Sequence, residues 1–257
     1  MLSSANIKLI NSLVLKKYRD RHKLYIIEGD KLVSEFLAGN RVVKLLLARR
    51  EWLEKTDDRL LSAAERIITV SENELRKVSG LKTPHNTLAL IGIEDTVPGI
   101  PALSGKLSIA LDNIRDPGNL GTIIRIAAWF GIENIICSRG TVDVYNPKTI
   151  QATMGALIHV NVSYTDLPAV TRSLSEYGTP IYATTLDGEP VYSIKKPSAG
   201  LLLFGNESRG LSETLIPWVT RKITIPPCIK PLPGIDSLNV AMTAAIICSE
   251  FRRNSCE

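Results

Sequence analysis

One stretch constrains this chain of 257 residues more than any other: LSIALDNIRDPGNLGTIIRIAAWF, residues 107–130. Leu107–Leu111 is mostly apolar and ends at a polar segment, 112–119. A short apolar run bounded by turn formers fits a buried strand. Asp116-Pro117-Gly118-Asn119 is turn chemistry, because Pro fixes φ and Gly permits positive φ, and Asn119 is placed to cap the next segment. The spacing predicts a helix over 120–130 that buries Ile123, Ala127 and Phe130 and stops at Gly131. Strand, polar loop and helix form the repeating unit of parallel α/β sheets, whose ligands sit at such strand-end loops. An ordinary βα turn has the same pattern. The polar load of the loop, with Arg125 one turn inside the helix, favours a site.

At 44% hydrophobic and 22% charged, the chain has ample apolar content for a core. The formal net charge of +5 permits an anionic partner without requiring one. Most of the excess is N-terminal: residues 1–100 hold 17 Lys and Arg against 13 Asp and Glu. Lys16, Lys17, Arg19, Arg21 and Lys23 cluster there around one acid, Asp20. Two readings stand, a solvated helix end or a patch that contacts phosphates. Four cysteines form no C-x-x-C pair and the three histidines lie at no metal-ligand spacing, so no metal is expected. The cysteines fit a reducing compartment. The N-terminus does not read as a secretion signal. No run approaches the ~18 apolar residues of a membrane span. The expectation is a cytoplasmic protein with no membrane association.

Along residues 1–93 the pattern alternates. Helices are expected at 4–15, 30–38, 52–66 and 72–77, and strands at 24–27, 42–48, 67–70 and 87–93. This is a compact α/β domain. Residues 94–105, EDTVPGIPALSG, with two Pro and two Gly and no periodicity, read as a linker. The second domain, 106–257, continues with strands at 134–137, 159–162, 181–184, 201–204 and 223–225. Helices are expected at 146–154, 167–177, 212–218 and 238–252. The alternation predicts a mostly parallel sheet. His159 reads as a core histidine of an apolar strand, and the Pro-rich segment 228–235 as irregular.

Two further strand ends carry unusual polar loads: GNESRGL, 205–211, and DSLN, 236–239, where Asp236 or Ser237 is placed to cap the last helix. Each alone is unremarkable as a loop or cap. Three in one sheet are less so. The segments DNIRDPGNLGTIIR (with YNPKTIQATMGALIHVNV behind it), FGNESRGLS and SLNVAMTAAI resemble, in order and spacing, the three motifs of the SpoU (TrmH-type) RNA 2′-O-ribose methyltransferases of the SPOUT superfamily. The resemblance covers about 106–253. More loosely, residues 18–93 resemble the ribosomal-protein-like RNA-binding domain of the rRNA-modifying members.

The resemblance implies an α/β, parallel-sheet methyltransferase domain closed by a C-terminal trefoil knot, preceded by a small α/β RNA-binding domain. It implies S-adenosylmethionine as cofactor, a homodimer through the knotted domain, and methylation of RNA, with large-subunit rRNA favoured over tRNA. A non-catalytic RNA-binding protein on the same scaffold is the rival reading. By the same resemblance the catalytic positions fall on Asn119, Arg125, Glu207, Ser237 and Asn239, and cofactor contacts on Thr184, Gly205, Ile225 and Leu238. The stretch from Ile225 to Asn239 is longer than the family's usual link, and its Pro-rich insert, 229–234, falls in the expected knot.

Methyl transfer from a sulfonium is an in-line displacement with a good leaving group, so alignment of the ribose oxygen and removal of its proton are what a protein supplies. No His lies in the three motifs. The family's matching Arg has been suggested as base, but a guanidinium, with pKa above ~12, has no acceptor lone pair. Arg125 is expected instead to hold a flanking phosphate and stabilise alkoxide charge. The proton then leaves through water or a phosphate oxygen. Glu207 is expected to orient Arg125 or Asn119, or else only to cap a helix. Ser237 and Asn239 have the same two readings.

Overall fold

A computed structural model gives the fold and describes residues 2–39, 41–94, 97–229 and 237–253. In chain order the first elements are α1 (Ser4–Ser12), α2 (Lys16–His22), β1 (Leu24–Glu28), α3 (Asp30–Ala38), β2 (Val43–Ala48), α4 (Arg50–Leu53), α5 (Asp58–Leu61), β3 (Ile67–Thr69), α6 (Glu72–Arg76) and β4 (Thr87–Gly92). After these come α7 (Ile100–Ser104), β5 (Leu107–Leu111), α8 (Pro117–Trp129), β6 (Asn134–Ser138), α9 (Pro147–Thr153), β7 (Asn161–Thr165), α10 (Leu167–Glu176), β8 (Ile181–Pro190), β9 (Gly200–Phe204), β10 (Arg221–Thr224) and α11 (Val240–Arg252).

The chain forms two compact units, Met1–Asp95 with Asp143–Ile158, and Thr96–Val142 with His159–Glu257. The first holds a four-stranded sheet in the order β1-β4-β2-β3. β4 pairs antiparallel with β1 and β2, and β2 pairs parallel with β3. Ile10 and Leu13 from the first helix pack on Leu45, Leu47, Leu88 and Leu90 of the central strands. Each such full burial contributes about 1.5–3 kcal/mol. Ser3 caps α1 by accepting from the Asn6 amide, as its residue type predicts.

Within this unit Arg19 departs from the expected RNA-facing patch. Its side chain is 3% exposed and paired with Asp143 at 2.5 Å. It also donates to the Leu13 and Val14 carbonyls, at 2.7 Å each. The guanidinium therefore closes the turn between α1 and α2 instead of facing solvent. Asp143 comes from the part of the sequence expected in the second domain, and the whole segment Asp143–Ile158 belongs to this unit.

In the second unit six strands run in the order β10-β8-β9-β5-β6-β7, and every pairing is parallel. β5 and β9 are buried throughout, which explains why they are apolar apart from Ser108. Leu103 of α7 and Leu167 and Leu174 of α10 cover one face with Leu215 of a 3₁₀ turn, Glu213–Trp218. The packed pair α8 and α11 supplies Ile123, Ile124, Ala127, Ala244, Ile247 and Phe251, all buried. From β5 the chain steps outward one way through β6 and β7, and the later strands lie on the other side, β9 beside β5. The strand order thus reverses between β5 and β9, the crevice where open α/β sheets take ligands.

Several local expectations are corrected. The stretch read as a linker holds α7, whose Leu103 is buried in the second unit's core. Residues 95 and 96 lie outside the described residues. His159 is exposed ahead of β7, so it is not a core histidine. α8 starts at Pro117 with Asp116 as its cap, and α11 starts at Val240 with Asn239 as its cap. Of the Pro-rich insert, only Ile229, which is exposed, lies among the described residues; 230–236 do not.

Candidate active site

The loop after β9 folds back on itself through its backbone and is tied to the loop after β5 through side chains. Gly205 sits where a Cβ would lie 2.5 Å from the Gly210 carbonyl carbon, so two backbones passing this closely exclude any side chain. Asn206 is the hub. Its Nδ2 donates to the Asn113 carbonyl at 2.9 Å. Its Oδ1 accepts from the Ser208 amide and hydroxyl and from the Arg209 amide. Its backbone pairs with Gly210 in both directions. Beneath it the buried Asp112 carboxylate accepts from the Ser212 amide and hydroxyl, at 2.8 and 2.6 Å, and from Asn113 Nδ2. The second loop is therefore held in one shape from both ends.

That shape aims Glu207 at the start of α8. Because Asp116 accepts from the Asn119 amide and does the capping, the Asn119 side chain is free to point elsewhere. It donates through Nδ2 to Glu207 Oε1. Asn239 does two jobs. Its Oδ1 caps α11 through the Ala241 and Met242 amides, and its Nδ2 donates to Asn119 Oδ1 at 3.0 Å and to Glu207 Oε1 at 3.4 Å. Two carboxamides, 88 and 32 positions from Glu207 in sequence, thus converge on its carboxylate. Asn239 is thus the cap of α11 and also reaches Asn119 and Glu207. Among the described residues Glu207 caps no helix.

Beside this cluster is a cavity of about 690 Å³, walled by the carboxyl ends of β8, β9 and β10 and by the start of α11. Thr184, Gly205, Glu207, Ile225, Ser237 and Leu238 all line it. Its size is that of a cofactor site. Leu186 and Leu238, 74% and 48% exposed, leave apolar surface at its wall. Such a surface suits the flat face of an adenine, while Glu207, Ser208 and Ser237 offer polar groups. The residues present thus fit S-adenosylmethionine. The Thr184 hydroxyl is already donated to the Leu203 carbonyl at 3.1 Å, so Thr184 offers shape more than a donor.

Arg125 is not brought into the cluster. Six residues along a helix from Asn119 it stands about 120° around the axis. It is exposed, with no hydrogen bond or ion pair among the described residues. Burial raises the thiol pKa of Cys137 and pushes that of Cys248 up to about 12, so neither is a thiolate nucleophile. Among the described residues no group of three His, Cys, Asp or Glu is placed to hold a metal ion. Sequence reading missed Asn206 and Asp112. Both stand inside the first two motifs, but their bonds join loops far apart in the chain.

An all-parallel sheet with a cofactor-sized cavity and a fixed carboxylate–carboxamide cluster at the same end is the architecture of an α/β protein that binds a small cofactor. Comparison with known proteins narrows the class. Residues 106–249 match the SpoU rRNA Methylase family and residues 4–89 the MRM3-like substrate binding domain, and the chain belongs to the SpoU rRNA methylase family. It is 30% identical to a 23S rRNA (guanosine-2′-O)-methyltransferase of Bacillus subtilis over 92% of each chain. Among solved structures it is similar to a TrmH-family protein from Porphyromonas gingivalis (32% identity, 98% and 99% of the two chains, TM-score 0.87). It is also similar to an AdoMet-bound rRNA methyltransferase from Sinorhizobium meliloti (28% identity, 100% and 98%, TM-score 0.86).

Proposed function

We propose that this protein methylates the ribose 2′-oxygen of large-subunit rRNA, using S-adenosylmethionine. The observation that carries the reading is the convergence of Asn119, Glu207 and Asn239 beside the strand-end cavity. Family membership supports the chemistry. The Bacillus relative acts on 23S rRNA and supports the substrate over tRNA. The match of the N-terminal residues to a substrate-binding domain supports RNA contact by the first unit.

When bound, the cofactor supplies an electrophilic methyl. Thr184, Gly205, Ile225 and Leu238 would hold it against the cavity wall, with Ser237 at its rim. Glu207, fixed by two carboxamide donors, positions Asn119 and Asn239, whose polar atoms in turn orient the ribose. The exposed Arg125 guanidinium has no partner among the described residues to displace, which suits it to a flanking phosphate and to developing alkoxide charge. The pH profile of Arg125→Lys tests that role: a rising limb unchanged at a lower rate fits charge stabilisation, and a lost limb makes Arg125 the base.

The trefoil knot and the homodimer belong to the same proposal. The segment between β10 and α11 is the one the knot would use, and both of its ends line the cavity. Trp129 and Met242, exposed on the packed helices α8 and α11, offer apolar surface to a second copy. Action in the cytoplasm belongs to the same proposal, and rRNA as substrate accords with the Bacillus relative. Among the described residues no helix is long and apolar enough to cross a membrane. The test is incubation with radiolabelled S-adenosylmethionine and rRNA or tRNA from cells lacking the gene. Label in one rRNA fragment supports the proposal. Label in tRNA changes the substrate, and RNA binding without label favours a non-catalytic binder.

A further inference from the structure

A second, smaller cavity of about 250 Å³ lies at the reversal point of the sheet, between the loops after β5 and β9. Asn113, Arg115, Asn206, Arg209, Ser212 and Glu213 are among its lining residues. It shares Asn206, Gly210 and Leu211 with the cofactor cavity, so anything seated in it lies next to the place of transfer.

Its arginines are not satisfied by acids among the described residues. Most surface arginines near an acid are paired, as are Arg50 with Glu54, Arg76 with Glu72, Arg172 with Glu176 and Arg221 with Glu189. Arg115 and Arg209 are both exposed, and neither guanidinium has a hydrogen bond or ion pair among the described residues. Glu213 lines the same cavity and is unpaired among the described residues, which leaves a net positive lining. Arg139, in the loop after β6 on the other side of β5, is likewise exposed and unpaired among the described residues.

The two arginines are also held on a stiff frame. Asn113, at φ 56°, donates to Asp112 and to Ser212 and accepts from Asn206 through its carbonyl. The Arg209 amide is fixed on Asn206 Oδ1. Two guanidinium forks on a rigid floor, open to solvent and without an acid to satisfy them, suit a phosphate diester.

We infer that this crevice is a phosphodiester-binding subsite in which Arg115 and Arg209 grip the RNA backbone adjoining the target ribose. The inference rests on the proposed RNA substrate and adds the residues that hold it. A ribose 2′-hydroxyl neighbours its own 3′-phosphate, so fixing that phosphate fixes the oxygen to be methylated.

The test is the double variant Arg115→Gln with Arg209→Gln, assayed on the RNA that the wild type methylates. S-adenosylmethionine binding, measured by calorimetry, should match wild type and certify the fold. The KM for RNA should rise about tenfold or more, well beyond any fall in kcat. The slope of log affinity against log salt should shrink by about 0.7, the loss of one single-strand phosphate contact. Arg115→Lys with Arg209→Lys should recover part of the affinity, since the charge returns without the fork. Unchanged RNA affinity and salt slope in the Gln variant, with wild type active, would overturn the subsite and leave the methyltransferase reading intact. A wild type that methylates no RNA would overturn both.

Discussion

Residues 16–23 and residues 205–211 look alike on paper, for both are short, polar and set against apolar structure. Their charged groups end up in different places. In the first, the lysines are spent locally: Lys16 pairs with Asp20 at 2.9 Å and Lys17 lies over the Tyr18 ring, and only Arg19 reaches a distant residue, Asp143, buried within the same unit. In the second, the near neighbours shape the loop through Asn206, and one charged group, Glu207, finds its partners in two other loops while Arg209 stays exposed. A polar residue that its neighbours satisfy holds up the fold. One whose neighbours merely aim it is free to meet residues from elsewhere, and that is how a site is assembled.

The largest expected effect is at the cluster. Glu207→Ala removes the acceptor common to Asn119 and Asn239 and should lower the single-turnover rate at saturating S-adenosylmethionine about a hundredfold. A rate within about threefold of wild type would reduce the cluster to structure. Next is the internal pairing of the first unit. Arg19→Met leaves Asp143 without its partner and should cost about 3 kcal/mol in urea denaturation, the value for breaking a buried pair. A loss below about 1 kcal/mol would class it with surface pairs.

A smaller effect is expected from the charges that stay exposed. Lys17→Glu with Arg21→Glu should weaken RNA binding several-fold and flatten its salt dependence. Equal binding at every salt concentration would leave this helix as scaffold only. Smallest is a pH effect at Glu74. Its carboxyl is held at about 2, below the ordinary 4.5, by the Ser71 and Leu2 amides that it accepts from. A lowered folded pKa gives a contribution that is full above the ordinary value and is lost as pH falls toward 2. The Leu2 amide NMR shift should therefore titrate near 2, and a midpoint near 4.5 would contradict the contact.

The parallel sheet and the three loops were legible because each rests on local pattern: apolar runs such as Leu107–Leu111 ended by turn chemistry. Helix starts were less so. Asp116 and Asn119 are both good caps on residue type, and only the structure assigns the cap to Asp116, which releases Asn119. Arg19 misled because its partner is 124 residues away. The helix α7 was hidden by its flanking Pro and Gly, although Leu103 anchors it in the core. Arg125 shows the converse, since its motif position pointed to the cluster and helical geometry sets it on another face.

The destination of the methyl group is the most direct test. Ribosomal RNA labelled by the pure protein from radioactive S-adenosylmethionine should be digested to nucleosides and resolved, with Glu207→Ala run in parallel. Label confined to one 2′-O-methylnucleoside, and sharply reduced with the variant, is the predicted result. Label on a base, or label undiminished by the loss of Glu207, would contradict it.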